Sequence, residues 1–250
     1  MPSRGAEAMT PSHAPDPPTV VVVQNTRNGG PGRVGAWLRE AGIGLEVLRP
    51  YEGEALPQAL GGRALLVLGG DFLPDDDERA PWLPATRSLV AQALDDRTPF
   101  LGICLGGQLL AQVAGGSVRA RHGQPEFGST QIRLRPEAAD DPLLHGLGAT
   151  VPAIERHVDA ITELPPGATW LASSTACPHQ AFRVGARAWG VQFHPEAEAC
   201  RIAGWDRERL ALQGFDRDRL HAEAVADEGA AVPAWSAFTR RFAQVCARLP

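Results

Sequence analysis

The sequence predicts an α/β fold: an open, mostly parallel twisted sheet with helices on both faces, and a helical extension at the C-terminal end. Two observations carry this expectation. Runs such as Thr19–Gln24 (TVVVVQ), Arg63–Leu68 (RALLVL) and Thr98–Ile103 (TPFLGI) are apolar without polar alternation, as strands buried on both faces of a parallel sheet are. These runs also alternate with amphipathic segments at the spacing of βα units.

Taken in order, residues 1–18 hold five prolines and almost no large apolar side chain, so they read as a disordered tail. A domain over 19–200 follows. After the first strand, Gly32–Ala41 is helical, with Val34, Trp37 and Leu38 on one side, and Leu45–Leu48 is a short strand. Arg63–Leu68 ends at Gly69-Gly70, a helix covers Thr86–Leu94, Thr98–Ile103 is buried, and Gly106–Ala114 is helical. Further on, Thr130–Arg135 and Gln180–Val184 alternate, which predicts strands with one solvated face. Trp189–Phe193 (WGVQF) reads as a buried strand. Residues 201–250 read as a helical extension packed on the same domain, broken near Gly229 and Pro233.

Composition removes several function classes. The 250 residues carry a formal charge of −5, which argues against a nucleic-acid partner held by a basic face. All 24 basic residues are Arg. Schiff-base lysines, pyridoxal-phosphate lysines and the P-loop lysine are therefore excluded. The four cysteines include no CxxC pair, and Cys177-Pro178-His179 offers two ligands where a metal site needs more. No metal or other cofactor is expected. Neither a membrane span nor an apolar signal core is present in the sequence, which predicts a cytoplasmic protein with no membrane partner.

The chemistry concentrates at Phe100–Gly107, FLGICLGG. A buried strand runs through Gly102-Ile103-Cys104-Leu105-Gly106 into a helix whose apolar side carries Leu109, Leu110 and Val113. That is the G-x-nucleophile-x-G elbow with Cys as the nucleophile. A thiol at a helix start is stabilised as thiolate by unpaired N–H groups and the helix dipole. It needs a base, and the base needs an orienting group. Among seven histidines, His194 alone follows a buried strand, which places it at the carboxyl edge where open α/β sheets bind ligands. Glu196 can reach back to its imidazole.

With these residues quoted, FLGICLGGQLLAQVAGG together with GVQFHPE resembles the class I (triad) glutamine amidotransferases. Within that family it is similar to stand-alone proteins like the amidotransferase part of GMP synthase. The likeness runs over about residues 20–200, with VLGGDFLPDDDERAPWL, EFGSTQIRL, DDPLLHGL and LPPGATWLASSTACPHQAFRV as supporting segments. It implies a flavodoxin-like sheet, Cys104 as nucleophile, His194 as acid and base, and Glu196 as its orienter. It further implies an oxyanion hole from the N–H groups of Gly70 and Leu105, and substrate contacts from Gln108, His157 and Asp159.

Two positions depart from the family's pattern. Arg156-His157-Val158-Asp159 stands where many relatives have His-Gly-Asp, which puts a β-branched residue where glycine would allow positive φ. Asp71 follows Gly69-Gly70 where relatives often place proline. The reading that follows is a glutamine amidotransferase or glutaminase releasing glutamate and ammonia, with a separate synthase subunit as one partner. The alternatives are a stand-alone γ-glutamyl peptide or γ-glutamyl amine hydrolase on the same triad and, more remotely, a non-catalytic regulatory subunit.

Overall fold

The structure, a computed structural model, describes residues 17–248. The proline-rich segment expected to be disordered lies outside the described residues, except for its last two positions.

A nine-stranded sheet organises the chain. Its parallel half comprises β1 (Thr19–Val23), β2 (Gly44–Leu48), β3 (Ala64–Val67), β4 (Phe100–Ile103) and β11 (Ala188–Val191). The other half holds β6 (Glu126–Leu134), β7 (Thr150–His157), β9 (Thr169–Ser173) and β10 (Ala181–Val184). The order is β2-β1-β3-β4-β11-β10-β9-β6-β7. Pairing is parallel from β2 to β11 and antiparallel beyond it. A separate antiparallel pair joins β5 (Ser117–Arg119) to β8 (Ala160–Glu163).

The unbroken apolar runs have a direct physical outcome. In β1, Val20 and Val22 enter the core on one face, under α1 (Gly32–Glu40) and α5 (Arg217–Cys246). Val21 and Val23 enter the core on the opposite face, under α2 (Leu83–Asp95) and α3 (Leu105–Val113). Successive strand side chains point to opposite faces, so a strand covered on both sides has no position free for a polar residue.

Three expectations are corrected. The antiparallel strand β6 starts at Glu126, four residues earlier than its alternation suggested. In β10, Ala181 and Phe182 are both buried, because Ala181 packs into the core on one face of the sheet and Phe182 into the core on the other. The C-terminal helix α5 runs unbroken through Gly229 and Pro233. An interior proline costs about 3 kcal/mol. Burial of Trp235, Phe238 and Phe242 in the sheet core contributes roughly 1.5–3 kcal/mol each, so packing prevails over propensity. The Trp235 indole also donates to the Pro152 carbonyl at 2.8 Å. A shorter helix, α4 (Arg207–Ala211), precedes α5. No helix of the described residues is long and apolar enough to cross a membrane.

Candidate active site

Three adjacent parallel strands deliver the site. Strand β3 ends into Gly69-Gly70, β4 into Cys104, and β11 continues through Gln192 and Phe193 to His194. Since β4 lies between β3 and β11, all three carboxyl ends converge on one edge, as ligand-binding edges of open sheets do.

Cys104 takes φ +51° and ψ −108°, a conformation that costs a non-glycine residue on the order of 1–3 kcal/mol. The turn is held from both sides. The Cys104 N–H donates to the Val191 carbonyl at 2.8 Å, and its carbonyl accepts from Gln108 N–H at 2.9 Å. The surrounding backbone is too close for side chains: a Cβ at Gly102 would lie 2.3 Å from the Gly106 oxygen, and one at Gly106 2.0 Å from the Val67 oxygen. The elbow therefore presents the thiol at the start of α3, where the first N–H groups have no helical partner.

His194 is pinned by its N–H to the Ile154 carbonyl at 2.8 Å, and its Nδ1 stands 2.7 Å from Glu196 Oε1. Glu196 is buried, and its own carbonyl accepts from the Arg33 N–H at 3.0 Å. Burial works against charge on the imidazole, but Glu196 and, after it, the neighbouring Cys104 outweigh it and hold His194 well above the ordinary histidine value. Its buried Nε2 has no hydrogen-bond partner among the described residues. That nitrogen is the one free to exchange a proton with a substrate. Gly69 lies against both members of the pair: a Cβ there would be 3.0 Å from His194 Cε1 and 3.4 Å from Cys104 Cβ.

Gly70 and Leu105 are in contact, a Cβ on Gly70 falling 2.8 Å from Leu105 Cδ2. Among the described residues the Gly70 N–H makes no backbone hydrogen bond. The Leu105 N–H is one of the free groups at the start of α3. A cleft of about 340 Å³ opens over Cys104, His194 and Gly70. Chemically, the arrangement offers a nucleophile, a proton carrier with an orienting carboxylate, and free N–H groups beside the thiol.

The family model for class I glutamine amidotransferases (Glutamine amidotransferase class-I) matches residues 34–201. The chain belongs to the class I glutamine amidotransferases. It is 36% identical over 193 residues to a glutamine-hydrolyzing GMP synthase of Porphyromonas gingivalis, covering 75% of this chain and 35% of that protein. It thus spans about a third of the length of that relative. One subunit of a glutamine-hydrolyzing GMP synthase, from Thermoplasma acidophilum, is 35% identical over 176 residues, covering 68% of this chain and 82% of that one. A solved glutamine amidotransferase from Thermotoga maritima superposes with a TM-score of 0.81 at 25% identity, over 91% of this chain and 98% of the other.

In this amidotransferase, Gln108 lies below the thiol rather than on the cleft wall. It is buried and donates to Gln192 Oε1 at 3.1 Å and to the Asp159 carbonyl at 3.3 Å. Gln192, in turn, points its amide nitrogen at Cys104 Sγ from 3.6 Å. Sequence reasoning passed over Gln192, although it stands just beyond β11 and two residues before His194, which was a usable signal. His157, expected in a loop, is the buried last residue of β7. Its Nδ1 lies 3.0 Å from the Asp159 carbonyl oxygen, which only accepts, so Nδ1 carries a proton. The Asp159 carboxylate accepts the Arg121 N–H at 2.9 Å. Neither His157 nor Asp159 lines the Cys104 cleft. Val158 keeps an ordinary negative φ, and with His157 it lines a smaller adjoining cleft of about 110 Å³.

Beneath the site lies a buried acidic cluster that the sequence did not reveal. His157 Nε2 meets Glu126 Oε2 at 3.1 Å and Glu155 Oε2 at 3.5 Å, and the Gln180 amide donates to Glu126 Oε2 at 2.7 Å. Cys177 joins Glu126 and His157 with ligand atoms within 4.8 Å of one another. It does so without His179, whose Nδ1 lies 2.9 Å from the Ile161 carbonyl. Burial, with Glu155 and Glu126 nearby, pushes the Cys177 thiol up to about 12, so it is protonated and inert. Glu155 is fully buried, and neither carboxylate oxygen has a hydrogen-bond partner among the described residues. Burial first, and then Glu126, raise its carboxyl well above the ordinary 4.5.

A stability prediction follows from that shift. A raised carboxyl contributes its full stability below about pH 4.5, and the contribution is lost as pH climbs toward the folded-state value. The slope reaches about 1.4 kcal/mol per pH unit. Glu155→Gln is expected to flatten this decline and raise the melting temperature at pH 7–8. Parallel melting curves against pH for the two proteins would show Glu155 ionised in the fold.

Proposed function

We propose that this amidotransferase hydrolyses the side-chain amide of glutamine to glutamate and ammonia through a thioester on Cys104. The observation that carries the reading is the convergence of the strained Cys104 elbow with the His194–Glu196 pair, held at 2.7 Å. In this mechanism Cys104 Sγ attacks the amide carbonyl carbon. The oxyanion forms against the N–H groups of Gly70 and Leu105, a type of donor worth ~10²–10³ in rate. His194 gives its proton to the departing nitrogen as the C–N bond breaks. The neutral imidazole then takes a proton from water, whose oxygen attacks the thioester and releases glutamate and the Cys104 thiolate. Glu196 holds the imidazole through Nδ1 and stabilises its charge. Gln108 and Gln192 brace the thiol from below, tied by Asp159 to His157.

No step in this cycle calls on a cofactor. Ammonia passes to a separate synthase subunit in this reading. It is supported by the likeness, over most of their length, to a protein named as one subunit of a GMP synthase, and it implies a cytoplasmic setting.

Glutamate release from glutamine by the purified chain, with acid-quenched peptide mass analysis, tests the proposal. A γ-glutamyl adduct on the peptide carrying Cys104, present only with glutamine, is the expected result. Glutamate release undiminished in Cys104→Ser would overturn it.

A further inference from the structure

The buried cluster beneath Cys104 moves no proton in the glutamine cycle, yet its donor atoms crowd together. Glu155 and His157 stand two residues apart on β7, so their side chains share a side of the sheet, and Glu126 of β6 is the cross-strand partner of His157. Cys177 joins them from a turn pinned by Ser174. The Ser174 hydroxyl accepts the Cys177 N–H, and the Ser174 N–H donates to the Cys177 carbonyl, both at 2.8 Å. The ligand atoms of Glu126, His157 and Cys177 lie within 4.8 Å of one another, and Glu155 Oε2 stands 3.5 Å from His157 Nε2.

This arrangement lacks a positive charge. Glu155 is fully buried, with neither carboxylate oxygen hydrogen-bonded among the described residues. The chain has no lysine, and among the described residues no arginine comes within 4.0 Å of Glu126 or Glu155. Carboxylates buried in this way are matched by a partner charge or a metal ion. The His157 ring is set for the metal. Its Nδ1 carries a proton to the Asp159 carbonyl at 3.0 Å, which in the neutral ring leaves a lone pair on Nε2. Metal-ligating histidines are oriented by such an N–H on a carbonyl. The lone pair faces Glu126 Oε2, an oxygen that already accepts from Gln180. Donors about 2.0–2.3 Å from a tetrahedral ion stand roughly 3.3–3.8 Å apart, close to the 3.1 and 3.5 Å that separate Nε2 from the two carboxylates.

We propose that Glu126, Glu155, His157 and Cys177 bind a single Zn²⁺ ion. The donor set selects the metal: thiolate and imidazole with carboxylates suit zinc, whereas Mg²⁺ and Ca²⁺ take oxygen ligands. In the metal-free chain Cys177 keeps its proton, since burial, with Glu155 and Glu126 nearby, pushes the thiol up to about 12. That proton passes to solvent as the Zn–S bond forms. His157 also lines the adjoining cleft of about 110 Å³, which gives the ion a route from solvent. The ion joins β6, β7 and the turn before β10. It thereby fixes the Ile154 carbonyl that holds the His194 N–H and the Asp159 carbonyl that holds Gln108. Its role is to stiffen the floor of the active site. The stability gain expected for Glu155→Gln belongs to the metal-free chain, and bound Zn²⁺ reverses it.

The test uses the full chain, free of any affinity tag, stripped with a chelator under reducing conditions and titrated with Co²⁺ or Zn²⁺. Co²⁺ is expected to give the intense visible bands of a tetrahedral site and a near-ultraviolet thiolate-to-metal band. Both saturate at one ion per chain and vanish as Zn²⁺ replaces Co²⁺. Cys177→Ser is expected to lose the near-ultraviolet band, and Cys104→Ala to keep it. Zn²⁺ at about 100 times its Kd is expected to raise the wild-type melting temperature by roughly 5–11 °C, a shift lost in Cys177→Ser/His157→Gln. Absence of Co²⁺ absorption overturns the site, as does a band lost in Cys104→Ala and kept in Cys177→Ser, which places the ion on the catalytic thiol. A wild-type melting temperature unmoved by Zn²⁺ overturns it too, and is the result expected if His157 and Glu126 share only a proton. None of these readouts passes through glutamine turnover, so the zinc site and the thioester reading stand or fall separately.

Discussion

Glu196→Gln is expected to lower kcat/KM for glutamine by about 10²–10⁴-fold while leaving the protein folded, a range set by positioned acid–base catalysis. The amide keeps the shape of the carboxylate and can still touch His194 Nδ1 across the 2.7 Å contact. It loses the negative charge that holds His194 well above its ordinary 6.5, and it can present an N–H to Nδ1 that selects the wrong tautomer. Burial of the imidazole then prevails and its pKa falls. Because the proposed resting state is a thiolate–imidazolium pair, the alkaline limb of the pH–rate profile reports loss of the imidazolium proton. That limb is expected to move to lower pH in the variant. Stability follows the same sign: the raised His194 contributes fully below pH 6.5 and loses that contribution as pH rises toward the folded value, a decline the variant weakens. A profile of kcat/KM that falls in height but keeps its alkaline limb would mean that Glu196 does not set the charge of His194.

What could be read from the sequence, and what could not, divides along the distance over which each feature is encoded. The parallel half of the sheet was legible because burial on both faces leaves an unbroken apolar run in β1, β3 and β4. The elbow was legible because its glycines are adjacent to Cys104 and demanded by local geometry. Glu196 was found because it sits two residues from the histidine it serves. The buried cluster was not legible. Glu126, Glu155, His157 and Gln180 come from two strands and the segment leading into β10, and no local spacing announces that their side chains meet. A charged residue in a sequence reads as solvent-facing, and only the tertiary fold shows that Glu155 is enclosed. The same applies to the cleft arginines: Arg27 and Arg201 stand far apart in the chain, and only the fold brings both to the cleft over Cys104. Helix α5 misled in the opposite sense, since Gly229 and Pro233 carry a genuine local penalty that aromatic packing overrides.

Glycine-to-alanine changes at two positions are expected to act with opposite sign. At Gly106, the new methyl would sit 2.0 Å from the Val67 oxygen and 2.8 Å from its carbonyl carbon. Both atoms belong to the backbone of a central strand, so no flexible side chain can yield, and α3 must move away from β3. Overpacking of this kind costs about 1–3 kcal/mol and more where backbone has to shift. For a chain of this size that is a fall in melting temperature of roughly 2–12 °C. Moving α3 also releases the constraint that keeps Cys104 at φ +51°, and a displacement of about 1 Å at a reacting group costs on the order of 10² in rate. Gly106→Ala is therefore expected to lose both stability and glutamine hydrolysis. Gly229, in the middle of α5, has nothing within 4 Å of a new Cβ, and alanine there removes the helix penalty of glycine, a gain of roughly 0.5–1 kcal/mol. Thermal melts of the two variants beside the parent decide the matter. Equal melting temperatures for Gly106→Ala and the parent would mean that the elbow is looser than its backbone contacts require. The strain at Cys104 would then have to be held by the Val191 and Gln108 hydrogen bonds alone.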